Sequence, residues 1–519
     1  MSRLKALSIV IPIATSLVYL MAGVIFDADL VDDTYIFLRY AENLASGHGL
    51  VFNIGEYVEG FSSPLWMICL GIVGLFDLDL VLASKVLSAL MGLAAIVALF
   101  FFGRKHLPSQ RGPYILLAPM LFLATNPSFV FWSWSGMDTA CFTFLFTVSF
   151  FVFLQQVRST GTMFWSGTWF LLAAVARLDM LSVLPAFLLF ILYSYRRQKR
   201  LLVRKTVSFL GPLFLLSILF LWRYHYYGSL LPITYYAKVH MAAGAVLVSG
   251  FAYALRFALA YKFCPHGALL LSPIMVLRPP RRLRAEWIFT IGTTVMWTGY
   301  VVWVGGDHFA QFRFFVPILP LLVFLSVSML DWLSKSSLVR TKYRSIGVTI
   351  MFTIALLGLN CSAYVLHEGE RAAGEVRMAR SWAQVGLWLR QNAPSDATIA
   401  SVVVGAIPYY SGLRTYDLLG LTDSEIAKHG DTYPQGRIGH QRYHTDYILS
   451  QKPQYIIYQI SGLSDRPLWR NSKDINMPYS YALYDLANDE RTKALYEYQA
   501  VEMENGGYIE FLQLKVEDP

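Results

Sequence analysis

Long apolar runs recur along most of this chain, and they constrain its fold more than any other feature. The first run covers residues 6–26, and others follow it as far as residue 365. Hydrophobic residues make up 55% of the 519 residues, and charged residues only 15%. A helix needs about 20 apolar residues to cross the hydrocarbon core of a bilayer. The sequence therefore predicts a polytopic, mainly α-helical membrane protein.

The basic residues indicate how these runs are oriented. Outside the C-terminal part they cluster in short loops, such as Arg196–Lys205 and Arg278–Arg284, and such loops stay in the cytoplasm. This topology explains the net charge of +9. Because no nucleic-acid-binding motif accompanies that charge, we expect no nucleic-acid partner.

Placing every basic loop inside predicts about eleven transmembrane helices, a cytoplasmic N-terminus and an extracytoplasmic C-terminus. The first run is long and lacks a small-residue cleavage site, which favours an uncleaved anchor. The count is open at 62–80 and 247–278, where 64–76 and 247–262 are candidates for surface helices. The predicted spans are 6–26, 80–102, 113–126, 139–156, 163–176, 180–195, 206–222, 265–277, 287–304, 314–333 and 345–365.

The composition changes to that of a soluble domain at about residue 366. The segment SWAQVGLWLRQNAP predicts an amphipathic helix that ends before Pro394, and ATIASVVV, QYIIYQI and GYIEFLQLKV predict strands. We therefore expect a transmembrane domain over 1–365, with 27–79 as its first periplasmic loop, and a small extracytoplasmic α/β domain over 366–519.

The first loop opens with two adjacent carboxylates, Asp32 and Asp33, just after the first span. The apolar residues that follow have helical spacing and predict a short amphipathic helix in the bilayer surface, ended by Gly47 and Gly49; they are Ile36, Phe37, Tyr40 and Leu44. Two interpretations of the pair remain open here. An Asp can cap the helix that it begins, or it can act as a general base, with the helix dipole lowering its pKa and keeping it ionised.

Further charged residues fall on the same predicted face of the membrane. Charges at membrane depth are costly, so the group indicates a water-filled functional cavity. Individually, Glu56 and Glu59 are more typical of structural ion pairs, and Arg177 with Asp179 is open between a structural pair and a functional one. The group comprises Asp32, Asp33, Glu56, Glu59, Asp138, Arg177, Asp179, Arg223, Lys238, Asp307 and Arg313.

Carboxylates beside cations, on a face without nucleotides, suit sugar transfer from a lipid-anchored phosphate donor. A carboxylate would accept the proton of an acceptor hydroxyl, and the cations would stabilise the phosphate leaving group. The four cysteines have no metal-ligand spacing. We therefore predict no cofactor, although a divalent metal is possible if Asp32, Asp33 and either Asp138 or Asp307 converge.

Seven segments spread along nearly the whole chain carry a further signal: DDTYIFLRYAENLASGHGLVFN, GFSSPLW, WSGMDTACF, ARLD, YYGSLLPITYYAK, VGGDHFAQFRFFVPILP and GAIPYYSGLRTYDLLGLTD. Together they resemble the GT-C membrane glycosyltransferases, and more closely the mycobacterial terminal arabinofuranosyltransferase family and its Gram-negative relatives. The family more often has Glu at the position of Asp138 and Asn at that of Ile233. The family also covers members whose substrates are unrelated or unknown, so arabinose does not carry over automatically.

The resemblance implies an inverting transfer from a polyprenyl-phosphate sugar to a periplasmic glycan or lipid, in the inner (plasma) membrane of a bacterium. It implies Asp32 or Asp33 as the base, and Asp32 is favoured because the first acid of such pairs often has that role. The candidate phosphate contacts are Arg223, Lys238 and Arg313. The candidate substrate-binding residues are Arg39, Asn53, Glu59, Asp138, Tyr236 and Asp307.

Two other classes of function remain open. A transporter or flippase for lipid-linked sugar would also place charges within the membrane, although the external domain and the lack of inverted-repeat symmetry disfavour it. A non-catalytic protein of envelope or motor assembly is disfavoured because the acidic pair is present.

Overall fold

A computed structural model describes residues 3–106, 117–238, 243–261, 284–334, 358, 360, 367–437, 439–458, 460, 462–468, 477–503 and 506–515. The chain divides into two compact units, each built from three stretches of sequence. The first, here the helical unit, comprises Met1–Asp29, Lys85–Ser217 and Gly244–Ala373. The second, here the mixed unit, comprises Leu30–Ser84, Ile218–Ala243 and Gly374–Pro519.

Helices dominate the described part of the chain. As far as residue 334 they are α1 (Arg3–Ile25), α2 (Asp32–Ala45), α3 (Pro64–Gly74), α4 (Leu80–His106), α5 (Leu117–Ala124), α6 (Pro127–Trp134), α7 (Thr139–Arg158), α8 (Phe164–Ala176), α9 (Leu184–Tyr195), α10 (Lys199–Leu210), α11 (Leu215–Tyr227), α12 (Ile233–Lys238), α13 (Ala243–Ala260), α14 (Arg284–Trp303) and α15 (Leu319–Ser334). Short 3-10 segments lie at Leu178–Val183, Pro212–Phe214 and Arg313–Ile318. The C-terminal helices are α16 (Glu368–Asn392), α17 (Ala406–Ser411), α18 (Ser424–His429), α19 (Thr445–Gln451), α20 (Met477–Asn488) and α21 (Glu490–Leu495).

Four helical segments of the described chain are long and apolar enough to cross a membrane: Leu80–Lys105, Thr139–Arg158, Leu178–Tyr195 and Lys199–Tyr227. Several shorter apolar helices accompany them, among them Ile9–Ile25 and Phe164–Ala176. The predicted count of about eleven is therefore not confirmed. The predicted span 265–277 lies outside the described residues, as does 345–365 apart from residues 358 and 360.

Interlocking phenylalanine rings form the centre of the helical unit. Phe153 of α7 lies 4.5 Å from Phe187 of α9 and 4.7 Å from Phe289 of α14, measured between ring centroids. All three side chains are almost fully buried. Edge-to-face and offset ring contacts add to the stabilisation that burial provides, so these three helices are held by one aromatic core.

Helix α2 is confirmed, and both Gly47 and Gly49 after it have the positive φ that ends a helix. Eight consecutive residues of this helix, Thr34–Ala41, are buried, and its expected position in the bilayer surface stays a prediction. The helix packs against α3, where Leu44 lies against Gly71, and against α17. Protein therefore covers the apolar side of this helix, where lipid was expected.

The C-terminal part of the mixed unit contains a five-stranded sheet in the order β2-β1-β5-β7-β6. The strands are β1 (Thr398–Ser401), β2 (Arg414–Asp417), β5 (Tyr455–Ile457), β6 (Tyr496–Glu502) and β7 (Tyr508–Leu514). Strand β1 is parallel to β2 and β5, whereas β7 is antiparallel to β5 and β6. A separate hairpin pairs β3 (Asp431–Thr432) with β4 (Arg442–Tyr443).

Both faces of this sheet are covered, as the alternation of its side chains requires. Ile399, Ile457 and Phe511 belong to one apolar core with Val385 and Leu389 of α16. Their chain neighbours Ala400, Ile456 and Leu512 belong to a second core on the opposite face, with α19 and α20. The predicted α/β character of the C-terminal region is confirmed. The boundary predicted at residue 366 stays a prediction.

Candidate active site

Asp32 lies in the first turn of α2, but its carboxylate does not cap that helix. Residue Val31 is the N-cap, and it provides no side-chain cap. Instead, the backbone N–H groups of Gly405 and Ala406 donate to the Asp32 carboxylate, at 3.1 Å to Oδ2 and 2.8 Å to Oδ1. The capping interpretation correctly predicted that Asp32 accepts bonds from backbone N–H groups at the start of a helix. That helix is α17 in the C-terminal region, however, and not α2.

Only glycine fits at residue 405 in this arrangement. A Cβ atom there would lie 2.0 Å from the backbone oxygen of Asp32 and 2.6 Å from its Cγ. The two backbones thus approach more closely than any side chain allows. The first turn of α2 and the loop before α17 are held in one fixed position.

The pKa of Asp32 is shifted in the direction opposite to the expected one. Burial raises it to about 7, the neighbouring charge of Asp33 raises it further, and the bonds from Ala406 and Gly405 oppose the rise. The expected lowering by the helix dipole is therefore wrong. A carboxyl group with a pKa near neutrality is well matched to proton transfer at physiological pH.

The Asp32 carboxylate retains capacity for a further hydrogen bond. A carboxylate offers about four acceptor positions, and the two bonds from Gly405 and Ala406 use one position on each oxygen. Both Asp32 and Asp33 are partly exposed. This arrangement orients Asp32 and leaves it able to accept a proton.

Arg39 lies about two turns further along α2, and its guanidinium group binds other parts of the protein. Its Nε donates to the Phe52 carbonyl at 2.8 Å, and its Nη2 donates to the Leu413 carbonyl at 2.7 Å. Its Nη1 donates to the carbonyl of Pro408, and its Nη2 also reaches Asn53 Oδ1 at 3.2 Å. The structure therefore shows Arg39 joining α2 to the C-terminal domain.

Asn53 binds the exposed edge of the sheet. Its Nδ2 donates to the Thr415 carbonyl at 2.9 Å, and its Oδ1 accepts from the Thr415 N–H at 3.1 Å. Thr415 belongs to β2, the outermost strand on that side. The Asn53 amide thus completes the hydrogen bonds that a further strand would make, and Glu56 beside it forms an ion pair with Arg414.

Glu59 and Arg223 form a buried ion pair in the mixed unit. Glu59 Oε1 lies 3.0 Å from Nε and 2.9 Å from Nη2 of Arg223, and the side chains are 1% and 0% exposed. Within the described residues, Arg223 Nη1 and Glu59 Oε2 have no hydrogen-bond partner. The structural interpretation of Glu59 is supported, and Arg223 is enclosed by protein in this structure.

Tyr236 and Lys238 lie on α12, which packs against α18. The Tyr236 ring contacts the cluster formed by Ile233, Ala237 and Ala427. Lys238 is exposed, and its side chain passes close to Gly439. Of the three cations predicted to contact phosphate, Lys238 is the exposed one, since Arg223 and Arg313 are both buried.

The predicted residues of the helical unit form three ion pairs, two of them through Arg177. Arg177 bridges Asp138, at 3.1 Å, and Asp179, at 2.6 Å. Tyr300 of α14 also donates to Asp179. Arg313 Nε lies 2.6 Å from Asp307 Oδ2. The structural interpretation of Arg177 with Asp179 is supported, and Oδ1 of Asp138 is buried without a hydrogen-bond partner among the described residues.

Sequence reasoning missed three residues: Gly405 and Ala406, which bind the Asp32 carboxylate, and Thr415, which binds Asn53. A signal for them existed, because all three lie in the segment GAIPYYSGLRTYDLLGLTD that contributes to the family resemblance. Tyr300 had no such signal, since it is one aromatic residue within an apolar helix. Within the described residues, no group of three or more His, Cys, Asp or Glu side chains could hold a metal ion. The prediction about metal stays untested.

Comparisons with known proteins agree with this architecture. A family model described as a domain of unknown function, DUF8728, matches residues 367–504. The chain is 27% identical over 318 residues to the terminal beta-(1->2)-arabinofuranosyltransferase of Mycobacterium tuberculosis, a match that covers 54% of this chain and 49% of that protein. The chain thus spans about half the length of the curated relative that it matches.

Two solved structures share the fold. ArnT from Cupriavidus metallidurans, bound to undecaprenyl phosphate, matches with a TM-score of 0.51 and 14% identity, over 79% of this chain and 85% of that one. The archaeal oligosaccharyltransferase AglB from Archaeoglobus fulgidus, in complex with an inhibitory peptide and a dolichol-phosphate, matches with a TM-score of 0.55 and 11% identity, over 98% of this chain and 74% of that one.

The chain therefore shares the fold of these two proteins, and the resemblance to the GT-C membrane glycosyltransferases that its sequence predicts is confirmed. In sequence, it is similar to a mycobacterial terminal arabinofuranosyltransferase.

Proposed function

We propose that this protein is a glycosyltransferase that moves a sugar from a polyprenyl-phosphate donor to a periplasmic glycan or lipid. Two structures with the same fold hold such a carrier, undecaprenyl phosphate in one and dolichol-phosphate in the other. The name of the mycobacterial relative suggests arabinofuranose as the sugar. The protein would lie in the inner membrane of a bacterium with about eleven spans, its N-terminus in the cytoplasm and its C-terminal domain in the periplasm.

The observation that best supports a transfer reaction is the Asp32 carboxyl group, partly exposed, oriented by two backbone N–H groups and with a pKa of about 7. As the base, Asp32 would take the proton from an acceptor hydroxyl. The hydroxyl oxygen would then attack the anomeric carbon as the bond from that carbon to the phosphate oxygen breaks. Polyprenyl phosphate leaves with the bonding electrons, and the anomeric configuration inverts.

The other predicted residues take supporting roles in this proposal. Asp33 would orient the donor or the acceptor, and its charge helps to keep the Asp32 pKa high. Lys238 is our preferred contact for the donor phosphate because it is exposed, whereas the Arg223 guanidinium is fully buried against Glu59. Arg39 and Asn53 would act as positioning residues, since both bind the C-terminal domain.

The direct test is acceptor-dependent release of polyprenyl phosphate by purified protein in nanodiscs. A panel of polyprenyl-phosphate sugars serves as donor, and an extract of the host envelope serves as acceptor. We expect release by the wild type and a loss of about 10²–10⁴-fold in Asp32→Asn, as removal of a general base predicts. Asp33→Asn should also lose activity.

The matched control is Asp489→Asn, at a residue that caps α21 in the C-terminal domain. Asn caps helices as well as Asp does, so this variant should keep wild-type activity. Full activity in both Asp32→Asn and Asp33→Asn would refute the proposed site.

A further inference from the structure

An exposed apolar turn lies beside the end of a candidate membrane span. Glu56 N–H donates to the Asn53 carbonyl at 3.1 Å, which closes a turn with Ile54 and Gly55 at its tip. Ile54 is 63% exposed and Tyr57 is 56% exposed. Turn residues are usually small or polar, so a large apolar side chain at the tip and another just after the turn favour a non-aqueous partner.

The segment that contains this turn is bound at several points to the end of α11. Leu50 N–H donates to the Tyr226 hydroxyl at 3.0 Å, and the Tyr227 hydroxyl donates to the Leu50 carbonyl at 2.9 Å. The rings of Tyr57 and Tyr226 meet edge to face at 5.0 Å. The segment is therefore fixed to the last turn of α11.

The end of α11 falls where a membrane interface is expected. Lys199–Tyr227 is long and apolar enough to span a membrane, and the basic cluster at its N-terminal end stops at Lys205. About 20 residues cross the hydrocarbon core, so counting from Thr206 brings the chain out of the core at about residue 225.

The residues found there are aromatic. Trp222 and Tyr226 are stacked at 5.4 Å, and Tyr224 is 62% exposed. Trp and Tyr are enriched at the headgroup level, where one end of the side chain is apolar and the other is wet. The only charge on this last stretch of α11 before His225, that of Arg223, is buried against Glu59.

We propose that the turn Asn53–Tyr57 inserts Ile54 and Tyr57 into the outer interface of the lipid bilayer, beside the aromatic end of α11. Because Asn53 at the base of the turn also binds β2, the lipid contact would fix the height of the C-terminal sheet edge relative to the membrane. This contact requires insertion of the chain in a bilayer, but it requires no particular reaction. The lipid contact and the proposed transferase activity can therefore be confirmed or refuted separately.

The test measures the depth of single spin labels. The full chain, with its four cysteines replaced, receives Ile54→Cys or Tyr57→Cys and is reconstituted in nanodiscs of phosphatidylethanolamine and phosphatidylglycerol. Glu490→Cys is the matched control, because the Glu490 side chain is 88% exposed in the C-terminal domain. Power saturation then compares access of apolar oxygen with access of a water-soluble nickel complex.

We expect oxygen access to exceed nickel access at residues 54 and 57, and the reverse at residue 490. Nickel access at 54 and 57 equal to that at 490 would overturn the proposal, because the turn would then lie in water. Low access of both reagents would also overturn it by indicating cover by protein. If Tyr57→Cys does not fold, Ile54→Cys decides alone, since the exposed Ile54 side chain has little packing to lose.

Discussion

At the scale of single residues, Asp32 combines two properties that usually conflict. Its carboxylate accepts two backbone N–H bonds from the start of α17, as a purely structural cap would. Yet burial holds its pKa near 7, as is typical of a group that exchanges protons during catalysis. The bonds fix its direction, and burial together with the charge of Asp33 raises its pKa.

The raised pKa of Asp32 predicts how activity depends on pH. Only the ionised form can accept a proton, so we expect kcat/KM to rise with pH and level off above about pH 7. Asp489→Asn should show the same profile. A rate that is flat between about pH 5 and 8 would contradict the assignment of Asp32 as the base.

The same shift has an opposite consequence for stability. Because the pKa of Asp32 is higher in the folded state than its ordinary value of 3.8, the folded protein binds this proton more tightly than the unfolded chain does. Its contribution to stability is therefore greatest below about pH 4 and declines as the pH rises to about 7. Thermal unfolding of the wild type and of Asp32→Asn across this range measures the difference.

Gly405→Ala tests the contact without changing any charge. The added Cβ must displace the first turn of α2, from which it would otherwise lie 2.0 Å. Because displacement of a reacting group by about 1 Å can cost 10²-fold in rate, we expect a loss of about 10–100-fold in kcat. Gly374→Ala is the control, since a Cβ at that helical position meets nothing closer than 3.9 Å.

At the scale of secondary-structure elements, sequence patterns predicted the helices and strands that have a clear local periodicity. The apolar spacing after Asp33 gave α2, and Pro394 correctly limited α16, which ends at Asn392. Strands β1, β5 and β7 coincide with predicted strands. Strand β2 was missed because it is four residues long with charged ends, and β6 because it is a half-exposed edge strand without an apolar run.

The partners of α2 could not be predicted from local pattern. Asp32 meets Gly405 and Ala406 across more than 370 residues of sequence, and Arg39 meets Leu413 across a similar separation. An amphipathic helix near a membrane has the same periodicity whether lipid or protein covers its apolar side. The structure shows protein on the apolar side of α2, a contact that periodicity alone could not predict.

Asn53→Ala should weaken the attachment of the first loop to the sheet. The change removes the amide that binds both the N–H and the carbonyl of Thr415, and a buried polar group left unpaired costs about 1–3 kcal/mol. Thermal unfolding in detergent measures the loss. Asn392→Ala, at an exposed helix end, should change stability by less than about 0.5 kcal/mol. Equal effects of the two substitutions would show that Asn53 does not hold the edge.

The Glu59–Arg223 pair offers a second test at this scale. Glu59→Leu leaves the Arg223 guanidinium buried without its carboxylate, which we expect to cost about 3–5 kcal/mol. The double variant Glu59→Leu with Arg223→Met should recover most of that loss, because an apolar pair needs no desolvation of charge. If the double variant is as unstable as Glu59→Leu, the ion pair is not the cause.

At the scale of the whole molecule, the sequence predicted a mainly helical membrane protein with a C-terminal α/β region, and the fold agrees. It did not predict that the first loop, residues 218–243 and the C-terminal region would form one compact unit. Hydropathy and charge place segments relative to a membrane, but they contain no information about which loops meet beyond it. That organisation places Asp32, the proposed base, against the C-terminal region.

The most direct test of the central claim uses sealed proteoliposomes with a labelled polyprenyl-phosphate sugar. A transferase consumes donor only when acceptor is present, and we expect acceptor-dependent formation of polyprenyl phosphate by the wild type and none by Asp32→Asn. Movement of the labelled lipid across the bilayer without acceptor, at the same rate in wild type and Asp32→Asn and with no polyprenyl phosphate formed, would contradict the account and identify a transporter.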